Sequence, residues 1–303
     1  MTSSSEYHAP VLLHDCVEGL KIRPDGVYVD ATFGGGGHSR AILDELGPAG
    51  TLVAFDRDED AQRNAIADQR FTLVRSDFRW IKNHLRHLGK LPVDGLLADL
   101  GVSSHQFDVP QRGFSIRGDG PLDMRMDRRA KRTAAQLIAT SDEATLAGIL
   151  QRFGEVEGAR RVARAIVQAH GRQAITTTAG LVEALKSVTP RKDASSFLAR
   201  VFQALRIAVN DELGSLELLL AKSTEVLVQG GRLAIVSYHS LEDRMVKNWL
   251  RTGDVEGKQD KDLFGNVKRP FTPVNSKASK PSEEEIERNP RARSARLRIG
   301  ERI

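Results

Sequence analysis

The alternation of short apolar runs with helical segments in the first hundred residues most strongly limits how this chain can fold. The apolar runs lie at 27–32, 51–56, 71–74 and 93–100, and helical patterns separate them at 39–46, 58–67 and 78–88. Strands buried on both faces form continuous apolar runs, and parallel strands need long crossovers, usually helices, between them. The pattern therefore predicts a Rossmann-like α/β domain, with a parallel sheet covered by helices on both faces.

The pattern changes after the fourth apolar run. Residues 101–127 are rich in Gly, Ser, Asp and Arg, which is typical of an ordered loop, and 133–209 show only helical patterns. A helix at 212–228 and a strand at 232–238 then resume the α/β pattern, and 266–274 and 294–299 are candidate strands. We predict one domain inserted in another. The α/β domain would comprise 1–105 and 212–303, and 106–211 would be an all-helical domain that recognises the substrate.

Composition excludes several classes of protein. The single cysteine, Cys16, rules out a disulfide framework and a cysteine-rich metal site. No apolar run approaches the roughly 20 residues that cross a bilayer, and the N-terminus does not have the charged-then-apolar order of a signal peptide. We expect a cytoplasmic protein with no membrane partner and no metal site. Aromatic residues make up only 5% of the chain, which argues against a base-stacking platform.

A glycine-rich turn follows the first predicted strand in the sequence VYVDATFGGGGHS at 27–39. Without a Cβ, glycine lets a ligand approach the backbone beside the first turn of a helix. A P-loop is excluded because no Gly-Lys-Ser/Thr follows. Dinucleotide binding fits less well, because Gly34 and Gly36 supply two of the usual three glycines and Ser39 occupies the third place.

Acidic residues end or follow the neighbouring predicted strands. Asp56 ends the second strand, 20 positions after Gly36, where a carboxylate can accept hydrogen bonds from ribose hydroxyls. Phe78 follows the third strand and could lie flat against an adenine, and Asp99 ends the fourth strand. A nicotinamide cofactor would need a pyrophosphate cradle and no acid at Asp99. S-adenosylmethionine has no phosphate and carries a sulfonium, so the acids favour it.

Nine motifs in one order resemble the bacterial 16S ribosomal RNA (cytosine-N4)-methyltransferase family. They are HAPVLL (8–13), DATFGGGGHS (30–39), DRD (56–58), DLGVSS (99–104), RGFS (112–115), DGPLDMRM (119–126), GGRL (230–233), HSLEDR (239–244) and NPRARS (289–294). The resemblance implies a class I methyltransferase that uses S-adenosylmethionine and acts on a cytosine in the decoding region of small-subunit RNA. One departure is Gly35, where relatives often carry a larger residue; glycine fits wherever a larger residue fits.

The resemblance also implies the residues of the cofactor site. These are Gly36, Gly37, His38, Asp56, Phe78, Asp99 and Gln106. The glycine loop, Asp56, Phe78 and Asp99 also follow from the residue pattern, whereas His38 and Gln106 come from the family alone.

Methylation of the exocyclic amine of cytosine needs hydrogen-bond acceptors, because the nitrogen lone pair is delocalised into the ring. DNA amino-methyltransferases carry an Asp/Asn/Ser-Pro-Pro-Tyr/Phe motif after the fourth strand, but this chain has DLGVSS there. We expect the acceptors to come from Asp99, the backbone of this loop and Ser103. His239, after the fifth strand, is a further candidate for proton transfer or base orientation. The alternative is structural, because Ser240 and Asp243 match a capping box that opens a helix.

Basic residues outnumber acids only slightly, 45 to 40, but they are concentrated. Residues 111–132 contain seven basic residues against three acids, and 288–302 contain six arginines against one acid. We expect these segments to contact RNA phosphates, with Arg112, Arg125, Arg291 and Arg293 as the named contacts. The expected partner is 16S RNA within the small ribosomal subunit. No DNA partner is expected, and a homodimer is left open.

Three rival functions stay open at this stage. A nicotinamide-dependent oxidoreductase could use the same fold, although the missing third glycine and Asp99 argue against it. A non-catalytic RNA-binding assembly factor could retain the fold without the reaction. Methylation of another RNA, a protein or a small molecule is also chemically open, because the residue pattern defines the cofactor better than the substrate.

Overall fold

The computed structural model describes residues 10–303, so His8 and Ala9 of the first motif lie outside the described part. It contains one seven-stranded sheet with strand order β3-β2-β1-β4-β5-β7-β6. The strands are β1 (Val27–Asp30), β2 (Thr51–Asp56), β3 (Phe71–Arg75), β4 (Val93–Asp99), β5 (Leu227–Ser237), β6 (Phe271–Pro273) and β7 (Arg296–Arg302). Strands β1 to β5 pair in parallel, and β7 is antiparallel to both β5 and β6. This confirms the predicted parallel α/β sheet.

Helices connect and cover the strands. Among residues 10–303 the α-helices are α1 (Leu13–Leu20), α2 (Gly37–Glu45), α3 (Ile81–His87), α4 (Ser104–Asp108), α5 (Ala134–Thr140), α6 (Glu143–Gly154), α7 (Ala159–Arg172), α8 (Thr178–Leu185), α9 (Ala194–Asn210), α10 (Glu212–Val226), α11 (Ser240–Thr252) and α12 (Glu283–Arg288). None of the described helices is long and apolar enough to cross a membrane.

The chain divides into two compact units. One consists of 10–101 with Leu213–Ile303 and contains the whole sheet, and the other is Val102–Glu212. In sequence the second unit falls between β4 and β5. Its role in substrate recognition remains a prediction.

Residue alternation along the strands builds the core of the sheet unit. Side chains of successive strand residues point to opposite faces. Val53 and Leu96 therefore pack in one cluster with residues of α3, α10 and α11, whereas Leu52 and Leu97 pack in another with residues of α1 and α2. Both faces are buried, which explains why these strands form continuous apolar runs.

The second unit has a separate helical core. Apolar residues recur every three or four positions along its helices, as in Leu146 and Leu150 of α6 and Val162 and Ile166 of α7, and all four are fully buried. This spacing places them on one stripe of each helix. The helices predicted between 133 and 209 are all present, with ends shifted by a few residues.

Two predicted elements are wrong in extent. The helix expected at 58–67 is a 3-10 helix, Glu59–Asn64, in which only Ala61 is buried. Without an apolar stripe the segment has little to pack against, so a longer helix gains no tertiary support. The strand expected at 266–274 is reduced to β6, because Lys261 and Val267 pair as an isolated bridge of a separate turn.

Candidate active site

Strands β1, β2, β4 and β5 are parallel, so their carboxyl ends meet at one edge of the sheet, called the rim below. In open α/β sheets, ligands bind at this edge. The glycine loop begins at the rim after β1. Gly34 and Gly36 have φ angles of 51° and 77°, which L side chains adopt only with strain. A Cβ on Gly36 would also lie 2.9 Å from the ring of Phe33.

Asp30 connects the end of β1 to the loop and to α2. The side chain is 1% exposed, and its oxygens accept hydrogen bonds from the backbone N–H of Thr32 at 3.0 Å and from Oγ of Ser39 at 2.7 Å. Burial raises the pKa of Asp30, because a carboxylate loses its hydration in the interior. Asp30 therefore holds the turn together and adds negative charge beneath the rim.

Asp56 ends β2 at the rim, as predicted. Its Oδ2 accepts the N–H of Gly34 and its Oδ1 accepts the N–H of Asp58, both at 2.8 Å. Burial raises the pKa of Asp56 to about 6. Each carboxylate oxygen has two lone pairs, so Asp56 keeps acceptor capacity for two hydroxyl groups while its orientation is fixed.

Asp99 ends β4 and is held by residues that closely follow two other strands, β1 and β5. Its backbone N–H donates to Oγ1 of Thr32 at 2.6 Å, and its Oδ1 accepts the hydroxyl of Tyr238 at 2.8 Å. Its Oδ2 lies 3.8 Å from Nδ1 of His38, which is longer than a hydrogen bond. Burial is the main cause that raises the pKa of Asp99 to about 6, and the nearby charge of Asp30 adds to it.

His38 lies in the first turn of α2 and is buried. Its Nε2 is 3.2 Å from the backbone oxygen of Val11, and its Nδ1 faces Asp99. Gly37 precedes it, and a Cβ on Gly37 would lie 2.1 Å from Pro10. The glycine therefore lets the chain before α1 pack directly against the start of α2.

Helix α11 begins at the rim with His239 as its N-cap, so the expected capping box opened by Ser240 is wrong. Nδ1 of His239 accepts the N–H of Glu242 at 3.5 Å, and its Nε2 lies 3.2 Å from Oε1 of the same residue. Glu242 is 2% exposed and also accepts the N–H of Tyr238 at 3.0 Å. Because Nδ1 accepts a hydrogen bond, the proton of the neutral imidazole is on Nε2, the nitrogen that lies next to Oε1 of Glu242.

Phe78 lies in the short 3-10 helix Phe78–Trp80 that follows β3. It is half-buried and packs against the core beneath the sheet. The preceding residue, Asp77, accepts hydrogen bonds from Arg57 and from Ser215, each at 3.1 Å.

Ser103 and Gln106 belong to the second unit and cap α4 reciprocally. Oγ of Ser103 accepts the N–H of Gln106 at 3.3 Å, and Oε1 of Gln106 accepts the N–H of Ser103 at 3.1 Å. Gln106 is buried. Both side chains thus have a structural task at the start of α4.

Two of the arginines expected to bind RNA have partners within the second unit. Arg112 is only 2% exposed, and its guanidinium donates to the backbone oxygens of Arg125 and Met126 at 3.0 and 3.3 Å. Arg125 forms a bidentate ion pair with Asp123, with both distances 2.7 Å. A buried guanidinium that donates to carbonyl oxygens stabilises the loop and is not accessible to phosphate, so Arg112 is not included in the RNA surface proposed below.

Arg291 and Arg293 are exposed at the surface. Both lie in the 3-10 helix Pro290–Ser294 of the sheet unit, which Asn289 caps by accepting the N–H of Arg291 at 3.2 Å. Their exposure leaves them accessible to an anionic ligand.

The charge at the rim suits a cationic ligand. Asp30, Asp99 and Glu242 bring three buried or half-buried carboxyls close together, and mutual repulsion contributes to the raised pKa of Asp99. A sulfonium and an ammonium group would offset that repulsion. A second possible cation site is weaker, since among residues 10–303 the group of side chains close enough to share a metal ion is His14, Asp15 and Glu18, which is largely exposed.

Sequence reasoning missed three residues of the rim, namely Asp30, Tyr238 and Glu242. Asp30 ends β1 as Asp56 ends β2, so its position was a usable signal. Glu242 lies within the HSLEDR motif beside His239, which was also a usable signal. Tyr238 gave none, because 139 residues separate it from Asp99.

The sheet and its acidic rim define a class I methyltransferase that uses S-adenosylmethionine. The chain belongs to the MraW methylase family, whose sequence pattern matches residues 5–303. The family expected from the motifs is thereby confirmed.

Relatives resemble this chain over nearly its whole length. The ribosomal RNA small subunit methyltransferase H of Bacteroides thetaiotaomicron is 54% identical over 296 residues, which cover 98% of this chain and 97% of the relative. The protein of the same name from Cytophaga hutchinsonii is 55% identical over 298 residues, covering 98% and 99%. Among solved structures, an rRNA methylase from Streptococcus thermophilus covers 96% of this chain and 93% of its own, at 13% identity and a TM-score of 0.41. That structural likeness is too distant to bear on activity.

Proposed function

We propose that this protein transfers a methyl group from S-adenosylmethionine to the exocyclic N4 of a cytosine in the decoding region of 16S ribosomal RNA. The observation that carries the proposal is Asp99, an oriented carboxylate at the rim of a methyltransferase sheet. The names of the relatives, small-subunit RNA methyltransferases, support the substrate. The expected setting is the small ribosomal subunit in the cytoplasm.

The proposed cofactor site combines the rim with family positions. Its residues are Gly36, Gly37, His38, Asp56, Phe78, Asp99 and Gln106. Asp56 would accept hydrogen bonds from the ribose hydroxyls, and Asp99 would face the cationic end of the ligand. For Gln106, in the other unit, the assignment rests on the family resemblance alone. When bound, the cofactor supplies an electrophilic methyl group whose carbon–sulfur bond breaks with its electron pair remaining on sulfur.

The chain's own contribution to the reaction is orientation and proton removal. Asp99, with a pKa of about 6, is ionised at neutral pH and can accept a hydrogen bond from the amino group of cytosine. As N4 gains the methyl group it loses one proton, which passes to Oδ2 of Asp99 and then to water. His239, the N-cap of α11 at the rim, is the further candidate for orienting the base, and Ser103 is the second proposed acceptor.

Arg291 and Arg293 would bind phosphate and so hold the RNA. Arg125 is half-buried, which makes it a weaker candidate than the exposed Arg291 and Arg293. A target base in structured RNA must first leave its stack, at a cost of a few kcal/mol. We propose that the helical unit, Val102–Glu212, recognises the structured RNA around it.

The direct test is to map the methylated nucleotide. Small subunits from cells that lack this activity are incubated with the protein and methyl-labelled S-adenosylmethionine. The expected result is one labelled cytosine in the decoding region, detected as N4-methylcytidine by mass spectrometry of RNA fragments. Label on protein alone, or no transfer to subunits, precursor particles or free RNA, would reject the proposed function.

A further inference from the structure

Tyr238 lies at the rim immediately after β5, and its ring packs against the loop that follows β4. A Cβ on Gly101 would lie 3.4 Å from Cδ2 of this ring, so the glycine backbone is in close contact with it. Gly101 has a φ of 103°, a conformation that L side chains rarely adopt. The loop after β4 therefore packs closely against the tyrosine that follows β5.

The hydroxyl of Tyr238 donates to Oδ1 of Asp99 at 2.8 Å. Burial raises the pKa of Tyr238 well above its usual value, and the charge of Asp99 raises it further. The phenol consequently keeps its proton throughout the physiological pH range and acts as a donor. A hydrogen bond to an ionised carboxyl favours the charged form, so this contact lowers the pKa of Asp99 against the effect of burial.

The two oxygens of Asp99 are therefore not equivalent. Oδ1 is held by Tyr238, while Oδ2 is 3.8 Å from Nδ1 of His38. The backbone of Asp99 is fixed separately, by donation from its N–H to Thr32. Titratable groups face this carboxyl from every element around it, and they are Cys16 of α1, Asp30 of β1, His38 of α2, Tyr238 after β5 and Glu242 of α11.

We infer that Tyr238 is a positioning residue for the methyl transfer: its hydroxyl fixes the Asp99 carboxylate in rotation so that Oδ2 is left to accept from the target amino group. The inference rests on the proposed function and adds a residue to it. Tyr238 itself does not touch the substrate, and acts on the reaction through Asp99. Its hydrogen bond also keeps Asp99 ionised at neutral pH, where the carboxyl must accept a proton.

The test deletes the hydroxyl and keeps the ring, with Tyr238→Phe. Tyr28→Phe is the matched control, because the Tyr28 hydroxyl is also hydrogen-bonded within the sheet unit, accepting the N–H of Arg23 at 2.8 Å. The first readout is the titration of the Asp99 carboxyl in the cofactor-free protein, by ¹³C NMR with Asp99→Asn to assign the signal. Tyr238→Phe should raise the midpoint by about one pH unit, whereas Tyr28→Phe should leave it in place.

The second readout is the pH dependence of methyl transfer. In Tyr238→Phe the acidic limb of kcat should move to higher pH by the same interval. At pH 7 the shifted midpoint alone should lower kcat about twofold, and the lost orientation of the carboxylate should lower it further, to roughly tenfold in all, while KM for the RNA changes less than about twofold. If the phenylalanine variant does not fold, 3-fluorotyrosine at position 238, a stronger donor, should move the midpoint of Asp99 to lower pH.

An unchanged Asp99 midpoint in the phenylalanine variant, or an equal shift in Tyr28→Phe, would overturn the inference. A rise in KM alone, with an unchanged pH profile, would also overturn it, because that result indicates a packing role. The NMR titration needs neither cofactor nor RNA. A wild-type protein that methylates no ribosomal substrate would therefore reject the proposed function, while the titration still decides whether Tyr238 controls Asp99.

Discussion

Oδ2 of Asp56 accepts the backbone N–H of Gly34 at 2.8 Å, and this single hydrogen bond ties the end of β2 to the glycine loop after β1. The same carboxylate is anchored on its other oxygen by the N–H of Asp58. Two residues 22 positions apart in sequence thus set the geometry of the proposed ribose site. Because backbone donors hold both oxygens of the carboxylate, less of its freedom remains to be lost when a ligand binds.

We predict that Asp56→Asn weakens binding of S-adenosylhomocysteine by about 10- to 100-fold, as expected for the loss of hydrogen bonds to a charged group. An asparagine has one amide NH₂ where the aspartate has an oxygen, so the N–H of either Gly34 or Asp58 would face another donor. Isothermal titration calorimetry measures the change. Asp44→Asn, at an exposed position of α2, is the control and should bind as the wild type does. If Asp56→Asn binds S-adenosylhomocysteine as tightly as the wild type does, Asp56 is not part of the cofactor site.

Cofactor binding should release protons near pH 6. The pKa values of Asp56 and Asp99 are both raised to about 6 by burial, so at pH 6 each is partly protonated before the ligand arrives. A cationic ligand favours the ionised form and lowers these pKa values, so affinity should rise with pH between about 5 and 7. Above pH 8 both carboxyls are already ionised, and the release should vanish.

Calorimetry in two buffers of different ionisation enthalpy measures this proton release at pH 6 and pH 8. S-adenosylhomocysteine, which has no sulfonium charge, should release fewer protons than S-adenosylmethionine. Asp99→Asn should reduce the difference between the two ligands. Proton uptake at pH 6 would contradict the assignment of these carboxyls to the cofactor.

Charge reversal at Arg291 and Arg293 should weaken RNA binding and flatten its dependence on salt. Each lost phosphate contact lowers the slope of log K against log salt by about 0.7 to 0.9, so the double variant should lose about 1.5. Filter binding to a decoding-region RNA from 50 to 300 mM salt gives the slope. Arg293→Glu is also measured alone, and Arg86→Glu, an exposed charge reversal on α3, is its matched control. Parallel slopes for wild type and double variant would exclude a phosphate role.

Arg112 should behave as a structural residue of the helical unit. Arg112→Leu leaves the carbonyl groups of Arg125 and Met126 without this donor and should lower the free energy of unfolding by about 2 to 4 kcal/mol. Urea denaturation measures the loss. Arg117→Leu, an exposed change in the same segment, should stay within about 0.5 kcal/mol of wild type. A fully stable Arg112→Leu protein with a reduced salt slope would instead restore Arg112 to the RNA surface.

Local patterns predicted most of the elements of this protein because each depends on neighbours in sequence. The strands around Val53 and Leu96 are buried on both faces and so form apolar runs, and parallel strands bring Asp56 and Asp99 to one edge. The 59–64 segment was overestimated as a helix because local propensity does not show whether a helix has anything to pack against. Arg112 was misplaced because charge alone does not show that backbone carbonyls can hold a guanidinium in the interior.

The sequence by itself determined the sheet, the glycine turn and the acids at the strand ends, together with the family, since these are read from adjacent residues. The tertiary structure alone decided which side chains act on one another. Tyr238 reaches Asp99 only because β5 lies beside β4 in the strand order, and Glu242 enters the rim because α11 begins there. Those contacts arise from the pairing of strands far apart in the chain, and no local pattern records that pairing.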